Sequence, residues 1–262
     1  MSILDKIVFR KREEVAVAKQ SVSIKQLEAI PNFNRTPLVF SDFLLDEKRT
    51  GIISEFKRRS PSKGLINGTA DVAKVTQAYA SAGASALSVL TDTDFFGGRA
   101  DDLVAARAVN EIPILRKDFM IDEYQILEAK AWGADLILLI ASILTPKEIA
   151  SYGKLAQSLG LSVLLEVHDL AELERSICPY LNAIGVNNRN LGDFTVNIQT
   201  SFDLVDKIPN EFLKISESAI DNPEVIKELK AVGYNGFLIG ENFMKTEDPG
   251  KAIKEFVSKL SR

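Results

Sequence analysis

The chain has 262 residues, 46% of them hydrophobic and 26% charged, and its formal net charge is −4. A chain of this length buries a substantial core without disulfides or metals, as one large α/β domain or as two small ones. Its mildly acidic balance, with both signs interspersed, argues against nucleic acid as a main partner, because that role needs a concentrated basic face.

The chain contains a single cysteine, Cys178, and a single histidine, His168. These counts exclude an internal disulfide, a cysteine-rich zinc site and a centre with several histidine ligands. The first residues lack the apolar core of a signal peptide, and the most apolar stretch, 136–144, is too short to span a bilayer. We therefore expect a soluble cytoplasmic protein with no metal, no membrane partner and no nucleic-acid partner.

The first fifty residues differ in pattern from the rest of the chain. They predict an amphipathic helix over 3–19, a shorter helix over 23–30 and a connection through Pro31 and Pro37. The mixed-sign run at 11–14, Lys-Arg-Glu-Glu, is interpreted as the solvated face of the first helix. We interpret residues 1–50 as a helical extension packed on the following fold, so that 1–262 form one domain.

From residue 51 onward, short apolar runs alternate with amphipathic helical patterns. Helix starts are indicated by Asp71, Thr145-Pro146 and Asn222-Pro223, where a capping side chain or a first-turn proline is present. Several helices end in a glycine that precedes the next run: Gly83, Gly133, Gly160 and Gly233. The apolar runs themselves predict strands at 51–57, 85–91, 112–117, 135–141, 161–167, 182–187, 211–216 and 236–240.

This alternation predicts an α/β fold with parallel strands that are covered on both faces. Eight strand–helix units in the available length favour a (β/α)8 TIM barrel with an N-terminal helical extension. The alternative is a doubly wound sheet. Such sheets usually show a nucleotide-binding glycine-rich turn after the first strand, and neither that turn nor a P-loop occurs here.

Charged and amide side chains stand at several predicted strand ends, where a barrel of this type carries its active site. Glu55 and Lys57 project from one face of the first strand, and Lys117, Glu166 and Asn187 end the third, fifth and sixth strands. One ion pair alone would be interpreted as a structural plug. Charges inside an apolar barrel need partners and acquire shifted pKa values. Their convergence at one mouth therefore predicts proton-transfer chemistry.

The last two predicted strands end in small residues, Ser218-Ala219 and Gly240, before helical segments. Backbone N–H groups at helix starts bind anions, and barrels of this type commonly hold a substrate phosphate at these two strands. With Lys57 and Arg189 nearby to supply positive charge, this pattern favours a phosphorylated substrate.

Three aromatic residues, Phe96, Phe119 and Phe194, lie in loops just after predicted strands two, three and six. Their clustering at the catalytic end predicts a pocket for a planar ring. His168 has no catalytic partner suggested by its spacing, so we assign it a supporting or structural role. Cys178, at a helix end before a proline, is expected to be inert.

With these residues collected, the chain resembles the indole-3-glycerol phosphate synthase family over essentially its whole length. The N-terminal helical extension is also a trait of that family, and the chain resembles its monofunctional form, without a fused phosphoribosylanthranilate isomerase. Six motifs match in register: Ile53-Ser54-Glu55-Phe56-Lys57-Arg58-Arg59-Ser60-Pro61-Ser62, Val89-Leu90-Thr91-Asp92 with Phe95-Phe96-Gly97-Gly98, Leu115-Arg116-Lys117-Asp118-Phe119, Leu165-Glu166-Val167-His168, Gly185-Val186-Asn187-Asn188-Arg189, and Glu217-Ser218 with Leu238-Ile239-Gly240.

The resemblance implies a lyase of tryptophan biosynthesis that closes the ring of 1-(2-carboxyphenylamino)-1-deoxyribulose 5-phosphate with loss of carbon dioxide and water, without a cofactor. It implies that Lys117 is the general acid and that Glu166 transfers protons during loss of the hydroxyl, with Glu55 orienting or sharing that work. Lys57 would meet the substrate carboxylate or phosphate, and Asn187 a sugar hydroxyl. Which of the two lysines protonates which intermediate stays open.

The resemblance also implies substrate binding by residues around the mouth: Ser60, Phe96, Phe119, Arg189, Phe194, Glu217, Ser218, Ala219, Gly240 and Glu241. Two positions depart from the family pattern. Ala219 stands where the family usually has glycine, and it keeps the backbone N–H unless the position requires a positive φ. Arg99 stands where serine is more common, and no role is assigned to it.

Two alternatives remain at this point. The first is another phosphate-binding barrel enzyme, such as a phosphoribosylanthranilate isomerase, which needs no decarboxylation pocket; the three loop aromatics together with Lys57 speak against it. The second is a phosphosugar-binding barrel without catalysis, which is expected to lack one of Glu55, Lys117 and Glu166. We further expect a small-molecule phosphorylated substrate as the partner and a monomeric protein.

Overall fold

Eight parallel strands close into a barrel in the computed structural model, which describes residues 2–190, 192 and 194–260. The other positions of the predicted domain, 1, 191, 193, 261 and 262, lie outside the described residues. The barrel strands are β1 (Ile52–Phe56), β4 (Ala86–Leu90), β5 (Ile114–Lys117), β6 (Leu136–Ile140), β7 (Ser162–Val167), β8 (Ala183–Asn187), β9 (Leu213–Glu217) and β10 (Gly236–Ile239). The short strands β2 (Arg59–Ser60) and β3 (Gly64–Leu65) form a separate two-stranded sheet. The barrel order is β1-β10-β9-β8-β7-β6-β5-β4, which confirms the predicted TIM barrel.

Helices follow the barrel strands as the sequence predicts. They are α1 (Ile3–Ser21), α2 (Ile24–Glu28), α3 (Phe40–Leu44), α4 (Val72–Ser81), α5 (Ala100–Val109), α6 (Glu123–Trp132), α7 (Pro146–Ser158), α8 (Leu170–Ser176), α9 (Gln199–Leu204), α10 (Pro223–Ala231), α11 (Glu241–Met244) and α12 (Pro249–Leu260), with short 3-10 turns at Pro31–Asn34 and Val205–Lys207. The predicted capping residues Asp71, Thr145 and Asn222 each accept a backbone hydrogen bond at the start of their helix.

Each predicted strand coincides with an observed barrel strand to within two residues at either end. The sequence did not predict helix α3 or the antiparallel pair β2–β3, in which Arg59 faces Leu65 and Ser60 faces Gly64. Neither is long enough to show a hydrophobic period.

The barrel interior changes from apolar to charged along the strands. Side chains two residues apart point to the same face, so the apolar interior residues Ile53, Leu115 and Leu164 are followed on that face by Glu55, Lys117 and Glu166. Phe40 and Leu44 of α3 join the apolar interior cluster. The charged layer therefore lies at the carboxyl ends of the strands, above a packed apolar floor.

Side chains of the N-terminal extension pack on the barrel. Ile7 of α1 joins the interior cluster, and Leu27 of α2 packs against Tyr124 and Ala131 of α6. The Tyr124 hydroxyl also donates a hydrogen bond to the carbonyl oxygen of Val22 at 2.7 Å. Among the described residues, no helix is both long enough and apolar enough to cross a membrane.

Asp135, just before β6, anchors the end of the extension to the barrel. Its fully buried carboxylate accepts hydrogen bonds from the Arg35 guanidinium (2.7 Å) and the Leu38 backbone N–H (2.7 Å). It also accepts hydrogen bonds from Arg107 (2.8 Å) and from the backbone N–H of Ile114 (2.8 Å). One side chain thus connects the extension, helix α5 and the start of strand β5.

We expect Asp135→Ala to lower the free energy of unfolding by about 3–5 kcal/mol, because it leaves the buried Arg107 guanidinium without its carboxylate. Glu224→Ala is the matched control, since it breaks an exposed ion pair with Lys227 (3.0 Å) and should cost less than about 1 kcal/mol. Chemical denaturation of both variants measures the difference. Equal effects of the two substitutions would contradict this role of Asp135.

Candidate active site

A cavity of about 530 Å³ opens at the carboxyl ends of the barrel strands. Every site residue predicted from the sequence lines this one cavity, although their positions in the chain span 55 to 241. These residues are Glu55, Lys57, Ser60, Phe96, Lys117, Phe119, Glu166, Asn187, Arg189, Phe194, Glu217, Ser218, Ala219, Gly240 and Glu241. The structure therefore brings the predicted set together, and the role of each residue remains a prediction.

Lys117 lies at the centre of the charged layer. Its ammonium nitrogen is 3.1 Å from Glu166 Oε2 and 2.8 Å from Glu217 Oε2. The two glutamates reach it from different strands, β7 and β9. The sequence predicted Glu217 only as a substrate-binding residue, yet in the structure its carboxylate pairs directly with the predicted general acid.

The three charges shift one another's pKa values. Burial alone would lower the pKa of Lys117, but the carboxylates of Glu217 and Glu166 outweigh it and hold that pKa above its ordinary value. Burial raises the pKa of Glu217 to about 7; the charge of Lys117 opposes this shift and that of Glu166 reinforces it. Burial also raises the pKa of Glu166, but the charges of Lys117 and His168 outweigh burial and lower that pKa overall. The cluster thus combines a permanent cation with a carboxyl that titrates near neutrality.

Two glycines make room for the carboxylates. A Cβ atom at Gly185 would collide with Glu217 Oε1, and a Cβ atom at Gly240 would lie 2.5 Å from Glu55 Oε1. The Glu217 oxygen that packs on Gly185 has no hydrogen-bond partner among the described residues, which agrees with the raised pKa of that carboxyl. Glu55 Oε1 forms an ion pair of 2.6 Å with Lys57.

His168 lies next to Glu166 in the charged cluster, and its supporting role remains a prediction. Its Nδ1 atom lies 3.0 Å from Glu172 Oε2, and its Nε2 atom lies 3.4 Å from Glu166 Oε1. Burial alone would lower the pKa of His168, but the hydrogen bond to Glu172 and the charge of Glu166 raise it. Cys178 is half-buried, and burial raises the pKa of its thiol, as expected of an unreactive cysteine.

The residues at the ends of β9 and β10, Ser218, Ala219 and Gly240, line the cavity. Ser218 and Ala219 have positive φ angles of 65° and 61°, and Ala219 lies four residues before α10 rather than directly at its start. Gly240 directly precedes α11. Two cations reach this end, because Glu241 pairs with both Arg189 (3.4 Å) and Lys63 (3.6 Å).

Asn187 connects the charged cluster to this cationic end. Its Oδ1 atom accepts hydrogen bonds from the Ser218 hydroxyl and from the Arg189 backbone N–H, both at 3.0 Å. A hydrogen bond from its amide also contributes to the lowered pKa of Glu166. Asn187 is therefore fixed in orientation on both sides.

Aromatic and aliphatic side chains form the rest of the cavity wall. The rings of Phe96 and Phe119 lie 5.9 Å apart between centroids, and Phe194 joins the lining with a φ of 62°. Sequence analysis did not predict an apolar contribution from other elements: Ile3, Leu4, Ile7, Leu138, Ile140, Leu238 and Ile239. The helical spacing of Ile3 and Ile7 was the available signal, although it identifies a buried face and not what that face covers.

The interpretation of residues 11–14 as a solvated helix face was wrong for Lys11, which is 3% exposed and surrounded by carboxylates. Amphipathic periodicity alone cannot show that a lysine has buried acidic partners on other elements. Arg99 is exposed and precedes α5 without making a side-chain cap. Among the described residues, no group of three or more His, Cys, Asp or Glu side chains is arranged to hold a metal ion.

Known proteins of one family match the chain over nearly its whole length. A profile of the indole-3-glycerol phosphate synthase family matches residues 4–256. The chain is 46% identical over 263 aligned positions to the indole-3-glycerol phosphate synthase of Bacteroides thetaiotaomicron, with 98% of each chain covered. It is 43% identical to the enzyme of the same name from Laribacter hongkongensis, with 96% of this chain and 97% of that one covered.

More distant solved structures share only the fold. A crystal structure of KGPDC from Streptococcus mutans superposes with a TM-score of 0.60 at 12% identity, covering 80% of this chain and 97% of that one. A native KDPGal structure superposes with a TM-score of 0.57 at 13% identity, covering 82% and 94%. Both agree with the barrel architecture.

The positive φ of Ala219 decides which way a substitution there should act. Glycine adopts this conformation without the steric cost of a Cβ atom, so Ala219→Gly should stabilise the protein by roughly 1 kcal/mol. The greater conformational entropy of glycine in the unfolded chain reduces this gain. Ala82→Gly is the control, because Ala82 has a φ of −82° and should be destabilised by glycine. Thermal melts measure both. A lower melting temperature for Ala219→Gly would contradict the observed conformation.

The raised pKa of Glu217 predicts a pH-dependent difference in stability. Because the folded protein keeps this proton up to about pH 7 and the unfolded chain loses it near 4.5, the wild type loses stability as the pH rises through that window. Glu217→Gln has no carboxyl at this position and does not lose stability in this way. The melting temperature of the variant minus that of the wild type should therefore increase between pH 4.5 and about 7 and stay constant above it.

Glu148→Gln provides the control for this measurement. A hydrogen bond from the backbone N–H of Thr145 lowers the pKa of Glu148, which lies outside the charged cluster, so the stability associated with that carboxyl changes only below the ordinary glutamate range. Its melting-temperature difference from the wild type should therefore stay flat in the same window. A flat profile for Glu217→Gln as well would show that its carboxyl titrates normally.

Proposed function

Because this chain belongs to the indole-3-glycerol phosphate synthase family, we propose that the charged cluster at its barrel mouth performs the ring closure of that reaction. The activity is that of indole-3-glycerol phosphate synthase, a carboxy-lyase of tryptophan biosynthesis. Family membership sets aside the isomerase and the non-catalytic barrel as alternatives. The observation that supports the proposal best is the Lys117 ammonium held between two buried carboxylates, Glu166 and Glu217.

Lys117 acts as the general acid in ring closure. The ring carbon that bears the substrate carboxylate attacks the ketone carbon, and the ketone oxygen takes a proton from Lys117 as the new carbon–carbon bond forms. Carbon dioxide then leaves, and its bonding electrons restore the aromatic ring. The pair of carboxylates keeps Lys117 charged before the step and fixes its direction.

Glu217 restores the proton of Lys117. Its carboxyl lies 2.8 Å from the ammonium and titrates near neutrality, so it can hold a proton and return it after the first transfer. This role extends the substrate-binding assignment made from the sequence. Lys57 is the other candidate for the general acid, and its ammonium pairs with Glu55 at 2.6 Å. We assign Lys57 to an anionic group of the substrate, which its positive charge neutralises.

Glu166 completes the dehydration. The hydroxyl formed in ring closure takes a proton from the recharged Lys117 and leaves as water, while Glu166 removes a proton from the adjacent carbon that carries the amine nitrogen. The lowered pKa of Glu166 keeps it ionised and ready to accept that proton, and Glu55 assists at the opposite side of the mouth. Asn187, fixed by Ser218 and by the backbone N–H of Arg189, holds a sugar hydroxyl.

The two ends of the cavity suit the two ends of the substrate. We assign the phosphate to the backbone N–H groups of Ser218, Ala219, Gly240 and Glu241, with Lys63 and Arg189 supplying charge. The carboxyphenyl ring is assigned to the wall formed by Phe96, Phe119 and the apolar face of α1. Ser60 and Phe194 border the cavity between these ends.

The phosphorylated substrate follows from the family, whereas a monomeric state and a cytoplasmic location remain predictions from the sequence. The same holds for the absence of a cofactor. The residue roles above require neither a second subunit nor a bound group, because each proton-transferring side chain comes from this chain.

The proposal predicts that Lys117→Ala loses about 10²–10⁴ in kcat, since it removes a positioned general acid and its electrostatic contribution. The measurement is the rise of indole fluorescence after the carboxyphenylamino substrate is added. Lys130→Ala is the control: it also removes a buried lysine, one that donates to the Arg35 carbonyl oxygen away from the cavity, and should leave kcat unchanged. Near-wild-type kcat in folded Lys117→Ala would refute the assignment.

A further inference from the structure

A buried ammonium from the N-terminal extension lies directly behind the aromatic wall of the cavity. Lys11 of α1 has its Nζ atom 2.6 Å from Glu14 Oε2, 2.9 Å from Asp92 Oδ2 and 3.0 Å from Asp118 Oδ1. Asp92 follows β4 and Asp118 follows β5, so the lysine joins two loops at the barrel mouth to one helix.

Each of the two aspartates also holds the backbone that carries an aromatic ring. Asp118 Oδ1 accepts a hydrogen bond from the backbone N–H of Phe119 at 2.8 Å. Asp92 Oδ1 accepts hydrogen bonds from the backbone N–H groups of Phe95 (2.9 Å) and Phe96 (3.2 Å). The Lys11 ammonium therefore lies one side chain away from both loops that carry the aromatic wall.

We propose that Lys11 is a positioning residue that sets the spacing of Phe96 and Phe119 and thereby shapes the binding site for the aromatic ring of the substrate. The two rings are 5.9 Å apart, and Ile7, one helical turn before Lys11, lines the same cavity. The inference rests on the placement of the ring in the proposed function.

Attachment of the helix alone does not account for this arrangement. On the same helix, Arg10 pairs with Asp94 (2.6 Å) and Lys19 with Asp122 (2.6 Å), both at exposed positions. A buried lysine carries a desolvation cost that apolar packing would avoid, so attachment of the helix alone gives no reason for a lysine at this position. Asp118 also keeps Arg116 as a partner at 3.1 Å, and it immediately follows Lys117.

The test uses Lys11→Met, with Lys19→Met as the matched control on the same helix. Three quantities are measured below the melting temperature of each variant. The first is kcat/KM for the substrate. The other two are inhibition constants: that of anthranilate, which probes the ring-binding end of the cavity, and that of inorganic phosphate, which probes the phosphate-binding end. For Lys11→Met we expect kcat/KM to fall about 10–100-fold, mainly through KM, because a displaced aromatic wall binds the substrate ring more weakly in the ground state and the transition state alike.

The two probes separate positioning from general destabilisation. In Lys11→Met the inhibition constant of anthranilate should rise about tenfold while that of phosphate stays within about twofold, and Lys19→Met should change neither. Equal weakening of both probes, or no change in either, would overturn the proposal. If anthranilate does not compete with substrate in the wild type, the ring placement in the proposed function fails first, and this inference fails with it.

A second variant covers the possibility that Lys11→Met folds poorly. Lys11→Met combined with Asp92→Asn removes one carboxylate together with the cation, while the amide oxygen of the new side chain can still accept from the backbone N–H groups of Phe95 and Phe96. This double variant should recover stability but keep the raised anthranilate constant, since the connection between the two loops is still absent. Full recovery of anthranilate binding would show that Lys11 only neutralises charge, which would overturn its positioning role.

Discussion

A charged group inside an apolar barrel is stable only when oppositely charged neighbours replace its lost hydration, and the active site depends on this constraint. Lys117 remains an ammonium because Glu166 and Glu217 flank it, and those carboxylates in turn are kept close by strands β7 and β9. The same proximity drives their pKa values apart, down for Glu166 and up to about 7 for Glu217. Stability and acid–base chemistry therefore come from one arrangement.

Buried ion pairs also connect the N-terminal extension to both ends of the barrel. Asp135 receives Arg35 from the extension near the start of β6, and Lys11 reaches Asp92 and Asp118 beyond the ends of β4 and β5. The first connection holds the extension in place, and the second lies against the aromatic wall. A segment outside the repeating strand–helix pattern thus contributes directly to the lining of the cavity.

The backbone at the end of β9 is strained. Ser218 and Ala219 both adopt positive φ, which costs energy for any residue with a Cβ atom, and this strained turn faces the cavity. The turn lines the cavity at the end where Arg189 and Lys63 pair with Glu241. Strain and a local excess of cations occur together where we assign the phosphate.

The sequence by itself determined the barrel, because helix caps such as Asp71 and the apolar strand runs are local signals. It also determined that Glu55, Lys117 and Glu166 meet, since parallel strands in a barrel bring their carboxyl ends to one mouth. Only the tertiary structure decided that Glu217 pairs with Lys117 and that Lys11 is buried. These contacts join residues about one hundred positions apart through the close approach of side chains, which hydrophobic periodicity and motif spacing do not encode.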